Sequence, residues 1–468
     1  MFFCCAGRWT DVAGSVTVNA MRLRAPAACL SLLAFSGSCN GAIPKAPDAG
    51  PILDAGPVPD GGPVPDAGAD AGPSRSYLLT SGGVQFLVDG GFGLLITPAN
   101  LSQDTDLIEV HQEFYGLPWD AFLAGSDPPP EWTAAMTAIA QSVAASGKKT
   151  FLSVTMLNGG RNSLAAKTTI VNGTVQSTDH WAAPCYDFSS APDGAAMKQA
   201  YLAYVGWMID LFTPAYLNIA IEVNLFFDQC PASAAAGVID VANAAYALAK
   251  TKNPALVTFP SIQIDHLYGY DSSTCPDAGQ RAACFQNLYA QIAPLKRDRF
   301  AMSTYPMLGV ALTPADIPSD WFARGAAVAG EQPLIAETGW SSSSLIAQLD
   351  DGSCYTVFTD LEADEEAYLD FVLTSAAADD LDLVNWWSDR DLVVSQLMTA
   401  CPCTFDQVWC EVLDVARGPS SDGGGEPQFY GEVDFKAFGT MGLRDYLGNP
   451  KPTVYPRWQE ALDLRLVR

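Results

Sequence analysis

The sequence predicts an α/β fold: a closed barrel of parallel strands with helices between them and long loops at one end. Three observations carry this expectation. From Tyr77 onward, short apolar runs alternate with longer amphipathic stretches; the runs number eight; and the Gly-rich fingerprint of the runner-up, an open doubly wound sheet, is missing.

In order, the runs are FGLLIT (Phe92 to Thr97), DLIEVHQE (Asp106 to Glu113), TFLSVTM (Thr150 to Met156), YLNIAIEV (Tyr216 to Val223), VTFPSIQI (Val257 to Ile264), RFAMST (Arg299 to Thr304), PLIAE (Pro333 to Glu337) and LDLVNWW (Leu381 to Trp387). Helices are expected over Glu131 to Ser146, Ala195 to Leu211, Ala232 to Lys250, Gln280 to Leu295, Pro318 to Ala329 and Glu362 to Ala377. Ala232 to Lys250 is the clearest, being rich in helix formers with Gly237 as its one weak point. The gap between the first two runs is too short for a helix. Right-handed crossovers over about 390 residues leave few closed arrangements besides a (β/α)8 TIM barrel.

Ahead of this domain, assigned to residues 77–468, lie two segments of different character. Residues 1–39 hold an export signal whose true start is expected at Met21, because Arg22 and Arg24 precede an apolar stretch centred on LSLLAF. The Ser36-Gly37-Ser38-Cys39 junction resembles a bacterial lipoprotein processing site, which implies lipid attachment at Cys39; ordinary signal cleavage nearby is the competitor. Residues 40–76 repeat Pro-Asp-Ala-Gly and its variants, a composition that reads as an extended, disordered tether.

Charge narrows the partners. Acidic residues outnumber basic ones 52 to 25, for a formal charge of −27, which argues against nucleic-acid or anionic-membrane surfaces. Membrane contact is expected only through the anchor at Cys39, and a monomer is expected. Eight cysteines follow the tether, at 185, 230, 275, 284, 354, 401, 403 and 410. In an exported chain an even count suggests disulfides, with Cys275 and Cys284 the best candidate pair. Their spacing does not match zinc ligands, and no metal or cofactor is expected.

In such a barrel, chemistry sits where strands end. Glu222 and Glu337 stand out, since each follows a nearly unbroken apolar run (LNIAI and LIA) where a carboxylate is expensive to desolvate without a partner or a function. A structural ion pair with Arg324, Arg390 or another cation is the competing explanation. Retaining cleavage of a glycosidic bond needs two carboxyls about 5 to 5.5 Å apart, a nucleophile and an acid that then acts as base.

The motif LIAETGWSSS resembles the nucleophile strand of endo-β-1,3-glucanases and, more loosely, of arabinogalactan endo-β-1,4-galactanases, both clan A glycoside hydrolases. The resemblance implies Glu337 as nucleophile and Glu222 as acid/base. STYPMLG resembles the strand-six end where that clan keeps a Tyr on the nucleophile, here Tyr305. VNWWSDRD resembles the strand-eight end where a Trp floors the sugar subsite, implicating Trp386 and Trp387. One departure is plain: the clan's Asn before the acid/base is Ile221 here. On a regular strand Asn224 and Asn218 would share the side of Glu222, so Asn224 is the candidate replacement.

Aromatic loops supply further candidates. Tyr115, Trp119, His180, Trp181 and Tyr186 are placed to stack on sugars or to anchor loops, His111 and His266 to contact sugar or sit satisfied at barrel ends, and Trp132 and Trp458 to join the core. The leading expectation is an exported, lipid-anchored retaining glycoside hydrolase that cleaves a β-linked polysaccharide internally. A lapsed barrel that only binds carbohydrate is the alternative, and Ile221 motivates it.

Overall fold

The computed structural model describes residues 73–84, 98–112, 116–171, 173–178, 181–270, 275, 278–311, 313–348, 353–358, 362–391, 401 and 436–468. Among these, eight parallel strands make the centre: β1 (Leu78–Val84), β2 (Leu107–His111), β3 (Lys149–Ser153), β4 (Tyr216–Asn218), β5 (Val257–Phe259 continued by Ser261–Gln263), β6 (Phe300–Thr304), β7 (Pro333–Thr338) and β8 (Leu383–Trp386). Each strand pairs in parallel with the next, and β8 returns to β1 through Leu383 opposite Leu78, so the sheet closes. Pro260 interrupts β5 because it has no N–H to donate; β4 pairs with the segment before it and β6 with the segment after it. The architecture is a (β/α)8 TIM barrel.

Helices α1 (Pro98–Asp104), α2 (Trp119–Leu123), α3 (Pro130–Ala145), α4 (Gly194–Phe212), α5 (Asn224–Gln229), α6 (Ala232–Lys252), α7 (Ile264–Leu267), α8 (Arg281–Ile292), α9 (Ala323–Ala329), α10 (Glu362–Ala378) and α11 (Val454–Asp463) fill the crossovers. Five of the six expected long helices keep their limits to within a few residues, while Pro318 to Ala329 shortens to α9. The first strand is a correction. It is LLTSGGV, whose hydroxyl residues and paired glycines hide it from a count of apolar runs, and α1 occupies the gap that the count made too short. FGLLIT lies outside the described residues, as do residues 1–72 with the signal, Cys39 and the tether.

Alternation sorts the strand side chains between two environments. Leu107, Phe151, Tyr216, Phe259, Ala301, Leu334 and Leu383 point inward and, with Leu78 against them, close the N-terminal end of the barrel as an apolar plug. One step further along, the inward positions turn polar: Thr80, Glu109, Ser153, Asn218, Ser261, Ser303 and Asn385, all buried. The intervening residues Ile108, Val110, Leu152, Leu217, Ile262, Met302, Ile335 and Val384 face outward into the larger core beneath the helices. Trp132 of α3 and Trp458 of α11 are fully buried there, as expected from their helical positions.

Strand β7 breaks the alternation once. Met302 lies opposite Ile335, but Ser303 lies opposite Glu337, so Ala336 is an extra residue in β7 relative to β6. Leu334 and Ala336 both face the interior, and the extra residue turns Glu337 inward as well, where strict alternation would have sent it toward the helices.

Three disulfides are formed among the described residues: Cys185–Cys230, Cys275–Cys284 and Cys354–Cys401. The second is the pair expected from spacing, and Cys403 and Cys410 lie outside the described residues. Such a set belongs to an oxidising compartment outside the cytoplasm. Cys185–Cys230 spans a sequence separation of 45 and joins the loop after β3 to the end of α5. Replacing both cysteines by serine is expected to lower the unfolding free energy by about 2–5 kcal/mol, measured by urea denaturation of the otherwise oxidised protein.

Candidate active site

The C-terminal mouth of the barrel gathers three carboxylates and one guanidinium, and the local chain explains each placement. β4 ends at Asn218, and the next residues turn sharply, with Glu222 at φ +48° just before α5. Its main-chain N–H donates to Ser261 Oγ at 3.0 Å, which fixes the turn against β5. Glu222 Oε1 accepts from Ser303 Oγ at 2.7 Å and Oε2 from the Arg161 guanidinium at 3.2 Å. Arg161 sits on the turn after β3, with a second guanidinium nitrogen on the Asn158 carbonyl at 2.8 Å. The cation beside Glu222 is thus Arg161 rather than the Arg324 or Arg390 suggested by sequence; Arg324 pairs with Asp320.

Glu337 Oε1 accepts from the Tyr305 hydroxyl at 2.7 Å, the contact implied by STYPMLG. Tyr305 is itself braced: its N–H donates to Asp265 Oδ2 at 3.0 Å, Thr304 donates to Oδ1, and its ring packs on Phe438 with centroids 4.7 Å apart. The rest of LIAETGW is anchoring. Thr338 Oγ1 bonds the Thr304 carbonyl and the Tyr368 hydroxyl, Gly339 lies where an added Cβ would be 2.5 Å from the Trp387 carbonyl, and Trp340 is buried against Tyr368.

A third carboxylate completes the group. Glu109, two residues before His111 and therefore on the same inward face of β2, accepts from Ser153 Oγ at 3.0 Å and lies 3.2 Å from His111 Nδ1 through the same oxygen. The His111 ring meets Trp387 edge-on at 5.4 Å between centroids. None of Glu109, His111, Arg161, Glu222, Ser303, Tyr305, Glu337 and Trp387 is more than 4 % exposed.

Burial first, and then the negative charge of Glu222, push the Glu337 carboxyl above the usual carboxylate range; His111 and the Tyr305 hydroxyl pull it partway back, and Glu109 adds to the rise. Burial likewise raises the Tyr305 phenol, with Glu337 next, so that it stays a donor.

Several sequence candidates are redirected. Trp386 and Trp387 separate by alternation: Trp387 faces the mouth, whereas Trp386 turns outward, bonding the Met441 carbonyl and packing near Tyr368. Asn224 is corrected as a stand-in for the missing Asn. The strand does not stay regular, and both ends of its amide are bound to the Gln263 main chain, at 2.9 and 2.8 Å. Trp119 and Trp181 both donate to the Ala165 carbonyl, at 3.0 and 2.8 Å, and pack on each other, so they anchor a loop. The Tyr186 hydroxyl donates to Asp193. His266 begins its turn with a main-chain bond to Gln263 Oε1 at 2.6 Å and is buried. Tyr115 and His180 lie outside the described residues. Glu109, Arg161 and Ser303 escape the sequence reading; only Glu109 carries a signal there, its period-two relation to His111.

No family model and no curated protein matches this chain. Solved structures with a similar fold include the exo-β-1,4-mannosidase Op5Man5 from Opitutaceae bacterium strain TAV5, at 11 % identity and TM-score 0.49, covering 85 % of this chain and 62 % of that one. A GH5_18 protein from Streptomyces cattleya in complex with Manβ1-4GlcNAc is 11 % identical, TM-score 0.48, covering 83 % and 80 % of the two chains. Fungal β-1,4-galactanases are 12 % identical, TM-score 0.42, covering 81 % and 92 %. This chain therefore spans less than two thirds of the length of the mannosidase.

A carboxyl whose folded pKa exceeds its unfolded one binds more protons when folded, so its contribution to stability falls as pH rises through the interval between the two values. Glu337 is such a group. Glu337→Gln is therefore expected to melt above the wild type, by a margin that widens from about pH 5 to about pH 8, measured by calorimetry at both.

Proposed function

We propose that this protein is a retaining glycoside hydrolase acting on a β-linked polysaccharide outside the cell, with the chain held at the envelope by lipid at Cys39. One observation carries the reading: two fully buried carboxylates from the ends of β4 and β7 converge on the barrel mouth beside an inward Trp387, each held by a hydroxyl donor. Glu337 is the nucleophile. Its oxygen attacks the anomeric carbon while Glu222 gives its proton to the departing glycosidic oxygen; Glu222 then takes a proton from water, which releases the sugar from Glu337. Burial and the charge of Glu222 oppose the negative charge on Glu337 that the first step needs, and the nearby His111 and the Tyr305 hydroxyl offset part of that opposition. Trp387 offers its face to the sugar.

A second reading rests on its own observation. Arg161 lies 3.2 Å from Glu222, and the residue before Glu222 is the buried, apolar Ile221. A guanidinium beside the proton donor favours its charged form, which suits a barrel that binds carbohydrate without cleaving it.

The purified protein, incubated with β-glucans, β-galactans and β-mannans, is expected to release reducing ends from one class, and Glu337→Gln to lower that release by about three orders of magnitude or more. Retained binding with no release by the wild type on any substrate establishes the binding reading instead.

A further inference from the structure

Among the described residues, the barrel mouth contains buried polar atoms without a hydrogen-bond partner, and two of the groups that carry them lie side by side. Glu109 uses one carboxylate oxygen for Ser153 and His111; the other, Oε2, is buried without a hydrogen-bond partner. Trp387 Nε1 is likewise unpartnered. Gly82 of β1 shows how close two of these groups are: a Cβ placed there would sit 2.8 Å from Glu109 Oε2 and 2.9 Å from the Trp387 ring. The glycine makes room for a carboxylate at the edge of an aromatic ring, on the same side of the barrel as His111. A buried acceptor without a donor is destabilising, and a carboxylate more so than a neutral group. An acceptor and a donor on neighbouring groups are the complement of a ligand that carries hydroxyls.

We propose that Glu109 is a specificity-determining residue whose Oε2 accepts a hydrogen bond from a ring hydroxyl of the sugar lying on Trp387, a role that rests on the sugar-site reading above. Its other oxygen is held by Ser153 and His111, so the free oxygen has a fixed direction and discriminates among sugars by where a hydroxyl stands. Trp387 Nε1 offers a donor beside it. The site would lose affinity for any sugar lacking the matching hydroxyl, because the carboxylate would again be buried without a partner.

The test uses the full chain in a Glu337→Gln background, to prevent turnover, and calorimetric titration with tetrasaccharides of β-1,4-linked glucose, mannose and galactose and of β-1,3-linked glucose. At least one is expected to bind, and adding Glu109→Gln to weaken it by about tenfold or more. Monodeoxy analogues of that sugar separate recognition from folding. One analogue should bind about tenfold less tightly than its parent in the Glu337→Gln background, yet equally with its parent once Glu109 is changed. Should Glu109→Gln fail to fold, Glu109→Asp keeps the charge, withdraws the carboxylate by one methylene and should give the same loss of discrimination. Unchanged affinity, or an unchanged deoxy penalty, in the Glu109 variants overturns the proposal and leaves the sugar site standing. Failure of all four tetrasaccharides to bind overturns the sugar site and this proposal together.

Discussion

One extra residue in β7 turns Glu337 into the barrel, and the polar arrangement at the mouth depends on it. With strict alternation after Ala336, the carboxylate would face the outer core, among Ile335, Val384 and Tyr368, instead of the polar barrel mouth. The register shift instead sets Glu337 beside Ser303, within reach of the Tyr305 hydroxyl. The same shift brings Thr338 onto the Thr304 carbonyl and the Tyr368 hydroxyl, so the distortion is locked by two hydrogen bonds immediately after it. A bulge needs such fastening, because its unpaired residue gives up ladder bonds.

The mouth is electrostatically unfavourable by construction. Glu109, Glu222 and Glu337 are all buried, and Arg161 and His111 are the basic side chains that contact them in the described residues. Lost hydration, and then repulsion from Glu222, raise the Glu337 carboxyl, and the surrounding barrel has to absorb that energy. It does so with a dry frame. The apolar plug closes the far end of the barrel, Asp265 ties β5 to β6 beneath Tyr305, and the Asp389 N–H straps the end of β8 to the Gly82 carbonyl. Lys451 sits between Glu365 and Asp391, at 3.1 and 2.9 Å, a second buried charge cluster that joins α10 to the C-terminal segment.

Loops that look like a sugar platform in the sequence prove to be structural supports. Trp119 and Trp181 meet on one carbonyl, that of Ala165, in the segment that also carries the turn of Arg161. Cys185–Cys230 then connects this region to α5, directly after Glu222. Aromatic rings and the disulfide therefore act on the geometry of the Arg161–Glu222 pair from a distance. An indole at a loop gives the same sequence signal whether its N–H meets a sugar or a main-chain carbonyl.

The sequence by itself determined the α/β class, seven of the eight strands, most helix limits, the Cys275–Cys284 pair and the two carboxylates at the ends of β4 and β7. Those features are local, set by hydrophobic period, chain spacing and the rarity of acid after an apolar run. β1 was hidden because its glycines and hydroxyls serve the barrel interior and leave little apolar signal. Only the tertiary structure decided which way each strand end faces: Glu337 inward by a bulge, Trp386 outward and Trp387 inward by alternation, Asn224 drawn onto Gln263 once the chain leaves β4, and Arg161 brought to Glu222 across 61 positions of sequence. The reason is physical. Direction at a strand end depends on register against a neighbouring strand and on which distant donor is near, and neither is encoded in the residues that are adjacent along the chain.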